Sequence, residues 1–87
     1  MSDESGILEQ ATYLLEQIES DRTVPRNIRE AITSAKKKLG EKTEPKMKID
    51  AAIQILDEII NDPNLPVYTR TQIWNVVSML EEKRREL

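Results

Sequence analysis

The sequence predicts an all-α protein, a four-helix up-and-down bundle made of two αα-hairpins. Three observations lead there: four segments have apolar residues spaced by three and four, no segment sustains an alternation of period two, and the chain resembles itself at a shift of 41 residues. At 87 residues it is read as a single helical domain, because chains of this size hold one core.

The first helix is expected from about Ser5 to Ser20, with Ile7, Leu8, Ala11, Leu14, Leu15 and Ile18 on one face. The second opens at Pro25, where the missing N–H costs nothing and Thr23 can cap, and gathers Ile28, Ala31, Ile32, Ala35 and Leu39 before Gly40 stops it. A polar linker, Glu41 to Glu44, leads to Pro45 and a third helix carrying Ile49, Ala52, Ile53, Leu56, Ile59 and Ile60. Asn61-Asp62-Pro63-Asn64 ends it. The fourth helix begins near Pro66 and buries Ile73, Val76, Val77 and Leu80. Its last turns hold Lys83, Arg84 and Arg85, cations that complement the helix dipole, and this charged tail is expected to fray.

Superposing the sequence on itself at 41 residues pairs 8–42 with 49–83 as an internal repeat. Ten of the 33 ungapped pairs from residue 10 to 42 are identical, among them Leu15 with Leu56, Asp21 with Asp62, Pro25 with Pro66 and Arg29 with Arg70. The buried seams coincide as well, since Ile28, Ile32, Ala35 and Leu39 fall on Thr69, Ile73, Val76 and Leu80. Each copy is a hairpin unable to cover its own apolar stripe, so the two must close on each other. Spacings of three and four favour shallow crossing angles, hence the bundle. The alternative is a two-repeat HEAT-like array: Asp21, Val24, Arg29, Ala35, Leu39 and Gly40 resemble the pattern of a HEAT repeat.

Composition removes most familiar chemistries. Cysteine and histidine are both absent, which excludes disulfides, thiol nucleophiles, imidazole bases and ordinary zinc sites. No metal, cofactor or catalytic residue is expected, and the chain is read as not an enzyme. The polar, acidic N-terminus and the lack of a long apolar run argue for a cytoplasmic protein. Charge is segregated along the chain. Residues 1–21 hold six acids and no base, residues 22–48 nine bases and three acids, and residues 49–87 seven acids and four bases.

Three constellations stand out. Asp21 with Arg29, repeated as Asp62 with Arg70, reads as a structural hairpin pair in which the guanidinium reaches a turn carboxylate or loop carbonyls; paired anion binding by the two arginines is the functional alternative. Arg22, Arg26, Lys36, Lys37 and Lys38, within the basic segment 22–48, form a candidate anion or nucleic-acid patch. Against it stand the acidic total and the lack of an aromatic stacking platform nearby. Tyr68, Trp74, Val77 and Met79 replace Asn27, Thr33, Lys36 and Lys38 of the first copy, and so form a candidate partner face for another protein or a homodimer.

Val24-Pro25-Arg26-Asn27-Ile28-Arg29, Asp62-Pro63-Asn64-Leu65-Pro66 and Thr69-Arg70-Thr71-Gln72-Ile73-Trp74-Asn75 together resemble an uncharacterised archaeal protein family of about 90 residues, over nearly the whole chain. The resemblance implies an archaeal, cytoplasmic, four-helix protein and brings no activity or functional residues. The sequence therefore points to a non-enzymatic interaction or structural module with an unknown protein partner or itself. The alternative is a nucleic-acid or ribosome-associated binder using residues 22–48.

Overall fold

A computed structural model describes the backbone of residues 3–87 and the side chains from Gly6 onward. Four helices follow in order: α1 (Asp3–Glu19), α2 (Arg26–Leu39), α3 (Pro45–Ile59) and α4 (Val67–Glu86). Each packs against two others and only two: α1 against α2 and α4, and α3 against α2 and α4. Among the described residues the diagonal pairs α1/α3 and α2/α4 do not approach each other. That closed ring is the bundle. A HEAT-like array would set α1 beside α3, so the alternative arrangement falls.

The core is aliphatic and continuous. Ala11, Leu15 and Ile18 of α1, Ile28, Ile32, Ala35 and Leu39 of α2, Ile49, Ala52 and Leu56 of α3, and Ile73, Val76, Val77 and Leu80 of α4 are all buried. These are the periodic positions, and burying each large side chain gains about 1.5–3 kcal/mol. Three further core residues lie outside the helices: Ile60, just past α3 and 6% exposed, and two from the turns. Val24 and Leu65, 1% and 4% exposed, fold inward from the α1–α2 and α3–α4 connections and plug one end of the bundle. Periodicity gave no hint of them, because neither belongs to a helical stripe.

Two local expectations are corrected, and one holds. The first residues of α2 receive no side-chain cap; Pro25 stands at the N-cap, and the Thr23 hydroxyl instead donates to Asp21 Oδ1 at 2.6 Å. Gly40 ends α2 as expected, in a right-handed conformation, its N–H donating to the carbonyls of Lys36 and Lys37. The charged tail of α4 does not fray. Helix runs to Glu86 and Lys83 is 2% exposed, its ammonium 3.7 Å from Glu86. Lys83 is both the last residue of the buried face of α4 and a long aliphatic stem, which suits it to covering the end of the core.

Candidate functional site

The two hairpin turns are built alike. In each, the aspartate carbonyl accepts from the N–H three residues on (Val24 at 3.2 Å, Leu65 at 3.1 Å), and its carboxylate accepts from the N–H two residues on (Thr23 at 2.9 Å, Asn64 at 2.8 Å). The arginines complete the turns through backbone carbonyls. Arg29 Nε donates to Val24 O at 3.1 Å, whereas Arg70 donates from Nε to Ile60 O at 3.0 Å and from Nη2 to Asp62 O at 3.1 Å. Of the two sequence readings, contact with loop carbonyls is the observed one. The Asp21 carboxyl is held below the usual carboxylate range by the Thr23 hydroxyl and then by the Thr23 N–H. Through these bonds Arg29 and Arg70 brace their hairpin turns.

The basic segment does not form one surface. Arg22 lies in the first turn and Arg26 opens α2, while Lys36, Lys37 and Lys38 close it, about 16 Å further along the axis. Consecutive helical residues also point about 100° apart. Lys36 leans onto α1, donating to Glu19 at 2.8 Å with Glu16 at 3.9 Å. Lys38 meets Glu41 at 3.6 Å, Arg26 meets Glu30 at 3.4 Å, and Lys37 stands on the outer face. Glu19 is pulled below its ordinary pKa by the Lys36 ammonium and then by the Thr33 hydroxyl, and Lys36 is raised in turn by its hydrogen bond to Glu19. This network ties α1 to α2.

The candidate partner face on α4 divides three ways. Val77 is a core residue, 2% exposed, and leaves the face. Its counterpart Lys36 sits at the bundle edge with its side chain 28% exposed; there a lysine reaches water along its stem, whereas a valine in the equivalent place is enclosed. Trp74 is 55% exposed on the flank toward α3, and Tyr68 and Met79 stand on the flank toward α1. Helical register puts the ring of Tyr68 about 120° around α4 from Trp74, so the two aromatics do not share a surface.

Met79 keeps its place in a candidate face whose α1 side the sequence analysis did not name. It borders a shallow groove of about 470 Å³ whose other walls are Gly6, Glu9, Gln10, Tyr13 and Leu14 of α1. Tyr13 is 60% exposed and also borders a second groove of about 350 Å³ toward Leu39 and Lys48. Helical register extends the two walls of this groove as Gly6, Gln10, Tyr13 and Gln17 along α1 and as Tyr68, Gln72, Asn75 and Met79 along α4. Each set is spaced by four, three and four and is uncharged, and Glu9 is the one acid that lines the groove. Two other helix edges are ionic: Glu19 with Lys36 joins α1 to α2, and Asp50 with Arg84 joins α3 to α4 beside a third groove lined by Ile53, Glu81 and Arg85. In a chain that is 33% charged, the α1–α4 edge is thus sparse in charge and holds two tyrosines.

Known proteins align with most of this chain. The family described as Uncharacterised protein family (UPF0147) matches residues 1–82. A UPF0147 protein of Methanocaldococcus jannaschii is 54% identical over 76 residues, covering 86% of this chain and 82% of its own. One from Sulfurisphaera tokodaii is 48% identical over 80 residues, covering 91% and 90%. Among solved structures, the crystal structure of the unknown function protein MMP1188 superposes with a TM-score of 0.86 at 47% identity, over 88% of this chain and 89% of that one.

Proposed function

The chain belongs to the uncharacterised protein family UPF0147, and we propose that its role is that of a non-enzymatic helical interaction module whose contact surface is the α1–α4 face. One observation carries the reading: a groove of about 470 Å³ between α1 and α4, lined by Gly6, Glu9, Gln10, Tyr13, Leu14 and Met79, has a single charged wall, and by helical register it continues as the stripes Gly6-Gln10-Tyr13-Gln17 and Tyr68-Gln72-Asn75-Met79. Tyrosine contributes large contact area at little entropic cost, and amide side chains both donate and accept at a rim. Against catalysis, the chain has neither histidine nor cysteine, and among the described residues no three acidic side chains gather.

The nucleic-acid reading of residues 22–48 receives no such support, since Lys36 and Lys38 face different neighbours and each has a carboxylate beside it. Residence in the cytoplasm fits a chain in which, among the described residues, no helix is long and apolar enough to cross a membrane. The reading of 8–42 and 49–83 as one hairpin duplicated is supported by the matching hydrogen bonds of the two turns.

Incorporation of a photo-crosslinking phenylalanine analogue tests the surface. Placed at Tyr13 and irradiated in archaeal lysate, it is expected to give a discrete protein adduct, while the same group at Trp74 gives none. Adducts from Trp74 and not from Tyr13 would move the contact surface to the α3–α4 flank. Nuclease-sensitive adducts to RNA or DNA would replace the proposal with the nucleic-acid reading.

A further inference from the structure

We draw no further inference here: the strongest candidate, the groove between α1 and α4 bordered by Tyr13 and Met79, belongs to the contact surface already described, and nothing in the structure shows what covers it.

Discussion

The arginine struts allow a quantitative test, because chemically equal residues at matching places in the two turns make unequal contacts. Arg70 donates two hydrogen bonds, to Ile60 O and Asp62 O, and Arg29 donates one, to Val24 O. Replacing either by methionine keeps an unbranched apolar stem and removes only the guanidinium. Bonds from charged donors contribute about 1.5–3 kcal/mol when sheltered. Both arginines are half-buried, so water replaces part of each bond and about 1 kcal/mol apiece is the appropriate figure. Arg70→Met should therefore cost about 2 kcal/mol and Arg29→Met about 1 kcal/mol. With a urea slope near 1 kcal/mol/M for so small a protein, the unfolding midpoints should fall by about 2 M and about 1 M. Equal shifts or a larger loss at Arg29 would refute the claim that loop carbonyls are what the arginines hold. Arg70→Lys should recover less than half of the loss, since one ammonium cannot span two carbonyls in the geometry of a planar fork.

Three further outcomes follow from the packing. Comparison of the parent with Lys36→Met should show a stability difference that holds at neutral pH and disappears in acid: Glu19 has a lowered pKa when folded, so its contribution is present above about pH 4.5 and is lost as pH falls through the folded value. Lys36 is raised above 10.5, so the same difference should shrink again only at strongly alkaline pH, and a difference constant from pH 2 to 8 would exclude the pair as its source. Gly6→Ala should raise the melting temperature of dilute protein, the gain being about 0.5–1 kcal/mol because a helical glycine is exchanged where a methyl has free space; destabilisation would mean that this turn of α1 is not helical in solution. Leu65→Ala should cost about 2–4 kcal/mol and Val24→Ala about 1–2.5 kcal/mol by leaving cavities at the plugged end, as urea titration will show, and near-neutral effects would return both residues to ordinary turn status.

The helices were legible because the signal that marks them is the one that buries them. Leu15, Ile32, Leu56 and Ile73 recur at helical spacing, and all four are fully enclosed. Helix ends were less legible for a physical reason. Thr23 and Gly40 are residues that can cap or terminate, yet Asp21 claims the threonine hydroxyl and a right-handed glycine suffices after Leu39. Local propensity names candidates, and competition among neighbours selects between them. The arginine struts fell between these cases, since position and role could be read from the repeat but the choice of carbonyl over carboxylate depends on where Asp21 and Asp62 direct their own oxygens.

The α1–α4 face escaped because it has no hydropathy signature. Glycine, glutamine and asparagine at spacings of four and three look like the solvated side of an amphipathic helix, and Tyr13 alone does not alter that pattern. Comparing the two repeats misled in the same direction. It weighted the places where copy two is more apolar than copy one, and so beside Tyr68 and Met79 it selected Val77, whose apolarity serves the core, and Trp74, which stands on the other flank. What distinguishes the face is sparse charge on two helices at once, with Glu9 the one acid lining its groove, and the pattern becomes visible only when the fold sets α1 beside α4. A helix with its apolar seam at Ala11, Leu15 and Ile18 and a second, uncharged stripe at Gly6, Gln10, Tyr13 and Gln17 has two packing surfaces. The first is consumed inside the bundle. The second faces solvent, and its Tyr13 borders a groove on either side of α1.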